Sequence, residues 1–271
     1  MKLTAIFFHR AGLLLAACAG IFMPCAQAGS FEVAVSPARF ELASKSASRL
    51  GQSLDLFNVG NTATEVSVRT LDWTYGDDGS IKYVDELLPQ SCRPWVTLER
   101  KTVKVVARGK TAFRFQIDIP ADARRGECRF MLAIEGVEPA YKALVAGGGA
   151  SLSLPVNGRI AIAVYLAING AEPQLELTKI DTQDIRGKRS PVVSVRNTGD
   201  AHGRLEGSLD ATDGKGQQIE LVPEGSPIMP GQSRVLPLTA SAPTSEIIYP
   251  LKTNGTLDWD GGSFKINAEL P

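Results

Sequence analysis

Histidine is almost missing from this 271-residue chain, which has two, His9 and His202. Beyond the N-terminal leader only His202 could serve as an imidazole base, and no serine stands in a Gly-x-Ser-x-Gly elbow. His202 follows the turn Asn197-Thr198-Gly199-Asp200, where a solvated side chain is expected. Cysteine is sparse too, at four. Two cysteines and one histidine beyond the leader are a poor ligand set for a metal. An excess of one charge is also lacking, with 29 Lys and Arg against 29 Asp and Glu. That balance supplies neither a basic face for nucleic acid nor a patch for an anionic membrane. Helical periodicity is nearly absent, which removes the helix that a phosphate loop at Gly147–Gly149 would need. Asp72 with Asp77-Asp78 lacks the alternation and closing glutamate of a calcium loop, so a hairpin turn is expected there. These absences point away from an enzyme, a cofactor or a small-molecule substrate and towards binding or structure.

The first 28 residues have the form of a secretory signal. Lys2 and Arg10 supply charge, residues 11–23 an apolar core, and Ala26-Gln27-Ala28 a small-x-small cleavage site. The core is short for a span, and no later stretch offers about 18 uninterrupted apolar residues. Leu15-Ala16-Ala17-Cys18 offers a rival, a lipoprotein box that would leave Cys18 lipidated. In an exported chain the remaining pair, Cys92 and Cys128, reads as a disulfide closing a loop of about 37 residues, worth about 3–4 kcal/mol by chain entropy. Two separately buried thiols are the alternative.

Short alternating segments fill the rest, broken by Gly, Pro, Asn and Asp, as an all-β chain requires. In the first half they fall at 32–42, 52–59, 64–74, 95–98, 102–107, 111–119, 128–135 and 150–168. In the second half they fall at 175–181, 192–197, 203–211, 218–221, 233–238, 247–252 and 263–269. The expected fold is two immunoglobulin-like β-sandwich domains in tandem, at 29–168 and 175–271, with a linker at 169–174. Phe57-Asn58-Val59-Gly60-Asn61 and Val195-Arg196-Asn197-Thr198-Gly199-Asp200 echo one another after an alternating strand, which suggests a shared domain type. Trp95 and Phe113–Phe115 are aromatics in strand context and are expected in the core.

One segment conflicts with a soluble, self-contained sandwich. After Gly147–Gly149, Leu152, Leu154 and Val156 alternate on one face, Pro155 removes a ladder donor, and Arg159 follows. An apolar edge strand invites pairing with another chain.

Read in order, the first half resembles the N-terminal domain of PapD-like periplasmic pilus chaperones. Val35-Ser36-Pro37-Ala38-Arg39-Phe40-Glu41-Leu42 is similar to that family's first strand. Leu56-Phe57-Asn58-Val59-Gly60-Asn61 with Val66-Ser67-Val68 is similar to its second and third. Trp95-Val96-Thr97-Leu98, Gly109-Lys110, Phe113-Arg114-Phe115 and Gly126-Glu127-Cys128-Arg129-Phe130 continue the order, and residues 152–165 resemble the final strand. The likeness is close over 31–168 and loose over 175–271. Tyr165-Leu166-Ala167 stands where the family often has Tyr-Arg-Pro. The resemblance implies a periplasmic chaperone that stabilises pilus subunits by donor-strand complementation. Leu152, Leu154 and Val156 would then fill the groove of a secreted pilin-like subunit, and Arg39 and Arg159 would hold its C-terminal carboxylate. An outer-membrane usher is the further partner implied. The competing reading is a structural or adhesive two-sandwich module at the cell surface, lipid-anchored if Cys18 is modified.

Overall fold

A computed structural model describes residues 31–76, 79–137, 141–147, 150–156, 158–242 and 246–271, with 141–147 and 150–156 described as backbone. The signal segment 1–28, Cys18 and the Asp77-Asp78 turn lie outside the described residues.

The fold is all-β, two sandwiches in tandem. The first begins with β1 (Val33–Ser36), β2 (Arg39–Ser44), β3 (Arg49–Asn58), β4 (Thr64–Tyr75) and β5 (Ile81–Val84). A 3-10 turn at Arg93–Trp95 leads into β6 (Val96–Leu98), followed by β7 (Thr102–Val105), β8 (Lys110–Asp118) and β9 (Gly126–Gly136). A hairpin of β10 (Tyr141–Gly147) and β11 (Ala150–Val156) precedes β12 (Arg159–Ile168). One sheet runs β1-β3-β8-β6. The other runs β2-β12-β9-β4-β5, with β7 also on β4.

The second sandwich comprises β13 (Leu175–Ile185), β14 (Lys188–Asn197), β15 (Glu206–Thr212), β16 (Gln218–Pro223), β17 (Ser233–Ala240), β18 (Leu251–Trp259) and β19 (Gly262–Leu270). Their order is β13-β14-β17-β16-β15-β18-β19, and β19 returns against β13.

Alternation decides the first core. Phe130, Leu132 and Ile134 of β9 and Ile162, Val164 and Leu166 of β12 point between the sheets. They meet Leu54, Leu56, Phe113 and Phe115 there, with Phe40 and Phe130 each edge-on to the Phe115 ring. Trp95 packs at the margin of this core, partly buried, because it sits in the 3-10 turn. Cys92 and Cys128 form a disulfide, with Cα atoms 5.5 Å apart, that ties this turn to β9.

The echoed asparagines do equivalent work in the two sandwiches. Asn58 Oδ1 accepts from Gly60 N at 2.9 Å, and its Nδ2 donates to Thr62 O and Val105 O. Asn197 Oδ1 accepts from Gly199 N at 2.9 Å, and its Nδ2 donates to Ala201 O and Ile228 O. Each buried amide replaces ladder bonds that the turn cannot make.

Several strand limits differ from the sequence reading. The 32–42 segment is two strands in different sheets, broken at Pro37, which lacks the N–H that a ladder needs. Residues 150–168 likewise form two strands, β11 and β12. β5 and β10 fall in stretches without clean alternation. The expected strand at 247–252 starts only at Leu251, one residue past Pro250.

Candidate functional site

The outward face of the β2-β12-β9-β4 sheet is apolar where an antiparallel sheet facing water would be polar. Leu71 and Trp73 of β4, Met131 and Ala133 of β9, and Tyr165 of β12 are buried there against Met229 of the second sandwich. The second domain covers this face, so a cleft forms between the two.

Polar contacts close the base of that cleft. His202 Nδ1 lies 2.5 Å from Glu127 Oε2, which also accepts from the His202 backbone N–H at 3.0 Å. The imidazole stacks on the Tyr165 ring, centroids 3.9 Å apart. Arg204 reaches Glu41 at 3.3 Å, donates to the Tyr165 hydroxyl at 3.4 Å and caps the Gly225 carbonyl. Arg125 pairs with Asp200 at 2.5 Å, whose backbone carbonyl accepts from Glu127 N. The buried Arg234 guanidinium of β17 lies over the Tyr75 ring of β4 at 4.6 Å. The expectation of a solvated His202 is therefore wrong. Its side chain is 9% exposed, because the first domain packs on the turn that carries it.

Burial pushes the Tyr165 hydroxyl up to about 12, although Arg204 and Arg129 pull the other way. Burial also pushes the Glu41 carboxyl up, but Arg39, His202 and Arg204 outweigh it and hold the group below its usual range.

Arg39 and Arg159 share the cleft-side face. β2 pairs parallel to β12 with Arg39 beside Ala163, and Arg159 stands four residues earlier on β12. Their Cα atoms are thus separated by about 13 Å along the strand. Ala161 and Ala163 lie on the same face of β12 between them. Both side chains are about half exposed and each has a carboxylate already: Arg39 meets Glu41 at 2.7 Å, and Arg159 meets Glu135 at 2.5 Å. A recess of about 410 Å³ holds Arg39, Ala161, Ala163, Trp73 and Tyr83, and Arg159 lies 6.0 Å from the centre of the Tyr83 ring. The two arginines flank one small-residue floor without touching each other.

β11 and β10 pair antiparallel from Tyr141↔Val156 to Gly147↔Ala150, and Pro155 stands opposite Lys142. Among the described residues, this hairpin belongs to neither sandwich sheet. The side chains of Leu152, Leu154 and Val156 lie outside what is described.

No family model matches this sequence, and no curated protein matches it. Solved structures do. The chain is similar to the YadV chaperone, at 16% identity over 88% of this chain and 100% of that chain, with TM-score 0.47. It is similar to the Pseudomonas aeruginosa CupB2 chaperone, at 12% identity over 88% and 100%, with TM-score 0.46. It is also similar to a structure of the Salmonella enterica SafA pilin in complex with the SafB chaperone, at 13% identity over 89% and 98%, with TM-score 0.45. These relatives in shape are chaperones.

Glu127, Tyr165, Arg204 and Glu41 form the centre of the cleft, yet the sequence reading assigned them no role. One signal was present: Ala161, Ala163 and Tyr165 alternate on the face of β12 opposite its core residues. A strand apolar on both faces must be covered on both.

Proposed function

We propose that this protein is a periplasmic chaperone that captures pilus or fimbrial subunits by lending them a strand, without catalysing a reaction. The observation that carries this reading is the unpaired edge of β11. Among the described residues that strand bonds to β10 alone, so its other backbone edge is open to a partner chain. The alternation Leu152, Leu154, Val156 belongs to the same strand and matches the pockets that an extended groove presents at every second residue.

Arg39 and Arg159 are the proposed carboxylate anchor. Their placement on one face, flanking Ala161 and Ala163, supports this role: a chain terminus laid on that alanine floor is within reach of a guanidinium from either side. Arginine suits it because its planar fork donates two charge-assisted hydrogen bonds to one carboxylate. The terminus would displace Glu135 from Arg159 and Glu41 from Arg39, exchanging one ion pair for another at half-exposed positions. The secretory signal supports delivery to the periplasm, and an outer-membrane usher would receive the loaded subunit.

The test is co-expression with candidate secreted subunits followed by co-purification from the periplasm. Recovery of a subunit with the native chain is expected, and Leu154→Asp and Arg159→Ala each reduce that recovery by about tenfold or more. Undiminished recovery with Arg159→Ala removes the anchor. Undiminished recovery with Leu154→Asp removes the lent strand.

A further inference from the structure

Each proposed anchor arginine shares its carboxylate with a second arginine. Glu135 stands directly opposite Arg159 in the β9–β12 register, and its Oε1 lies 2.5 Å from Arg159 Nε. From the other side Arg69 of β4 reaches the same carboxylate. Its Nη2 donates to Oε1 at 3.3 Å and its Nε to Oε2 at 3.5 Å. Arg69 pairs with Ala133, two residues from Glu135 on β9, and long side chains meet across that diagonal. Arg69 also donates to Asp85 Oδ1 at 2.5 Å. Arg159, Glu135, Arg69 and Asp85 therefore form a row of alternating charge across β12, β9, β4 and the residue after β5. The three strand residues share the outward face with Ala161 and Trp73.

The same pattern recurs at the other anchor. Glu41 lies 2.7 Å from Arg39 and 3.3 Å from Arg204. Arg204 also bonds the Tyr165 hydroxyl and the Gly225 carbonyl, so Arg69 is the second arginine with the simpler surroundings. An arginine–carboxylate–arginine triad thus stands at each end of the Ala161–Ala163 floor.

A carboxylate arriving at Arg159 must take that arginine from Glu135. Glu135 is the least exposed group of its row, at 24%, so losing its only cation would be costly. Arg69 removes that cost, because Glu135 stays paired while Arg159 turns to the newcomer. A recess of about 270 Å³ bounded by Glu135, Gly136, Gly158 and Arg159 leaves room for the arriving group. We propose that Arg69 is a positioning residue for carboxylate capture: it holds Glu135 in place of Arg159 and so frees Arg159 for a peptide C-terminus. This role rests on the reading of Arg159 as an anchor.

NMR titration of the purified protein with Nα-acetyl-alanyl-alanine, read at the Arg159 Nε–H resonance, tests this role. That resonance is assigned by its loss in Arg159→Lys, and the C-terminal amide of the same dipeptide is the control. The expected result is a saturable shift with the free carboxylate and none with the amide. Arg69→Gln weakens the apparent affinity by about threefold or more. In a Glu135→Gln background the same substitution has no effect, because Arg159 is already free. An equal loss in both backgrounds is only the field of a missing charge, and it overturns the proposal. Undiminished affinity in Arg69→Gln overturns it too, while the anchor reading stands. No saturable shift at Arg159, or an equal shift with the amide, removes the anchor and this role together.

Discussion

The Nδ1 atom of His202 sits 2.5 Å from Oε2 of Glu127, and the two residues belong to different domains. Neither group is free to find water, since the carboxylate is 2% and the imidazole 9% exposed. Tyr165 stacks on the ring and Arg204 bonds the Tyr165 hydroxyl, so one small cluster sets how the sandwiches meet.

Removing the imidazole leaves Glu127 buried with fewer donors. His202→Ala is expected to destabilise the protein by about 2–4 kcal/mol in urea unfolding. It also increases proteolytic nicking in residues 169–174, because the domains lose a contact that holds the linker in place. Unchanged unfolding together with unchanged nicking would show that the cluster does not hold the domains.

The paired asparagines predict parallel effects in two places. Asn58→Ala removes the acceptor for Gly60 N and the donor to two carbonyls, and Asn197→Ala does the same around Gly199. Each is expected to cost about 2–4 kcal/mol, since buried backbone groups are left unpaired. Amide exchange should locate the loss in the first sandwich for Asn58→Ala and in the second for Asn197→Ala. A loss below about 0.5 kcal/mol at either site would contradict the assigned role.

Stability should fall at both ends of the pH scale. The folded Glu41 and Asp200 carboxyls lie below their usual values of 4.5 and 3.8, held there by arginine partners against the opposing effect of burial. A depressed carboxyl stabilises the fold above its unfolded value, and that contribution is lost as pH falls through the folded one. Both pairs are partly exposed, so added salt should shrink the acid effect. Tyr165 works in the opposite sense. Its value is raised from 10.0 to about 12, so its contribution is complete below pH 10 and fades between there and about 12. Ultraviolet titration should show a late step near pH 12, distinct from that of Tyr249, which burial also raises, and Tyr165→Phe should abolish that late step. If the late step survives in Tyr165→Phe, the assignment to Tyr165 fails.

Much of the architecture is legible residue by residue. The alternation of Phe130, Leu132 and Ile134, and of Ile162, Val164 and Leu166, marks the strands and their inward face, since strand periodicity is a property of neighbouring residues. Asn58 and Asn197 announce their turns for the same reason: the amide bonds a glycine two positions on. The Cys92–Cys128 pair could be named because only these two cysteines lie beyond residue 28. Less was legible where the alternation is unclear, as in β5 and β10, or where a proline interrupts a run that looks continuous, as at Pro37.

From the residues alone it was legible that the chain is all-β, that it builds two sandwiches, and that Leu152, Leu154 and Val156 alternate just ahead of Arg159. These follow from spacing within short stretches. Packing between distant strands is what buries His202 on Glu127, sets Tyr165 between the domains, and puts Arg39 and Arg159 on one face four residues out of register. Those partners are 75 residues apart or on strands joined across a whole domain. The energy that brings them together comes from covering the second face of one sheet, and no local pattern names the surface that will cover it.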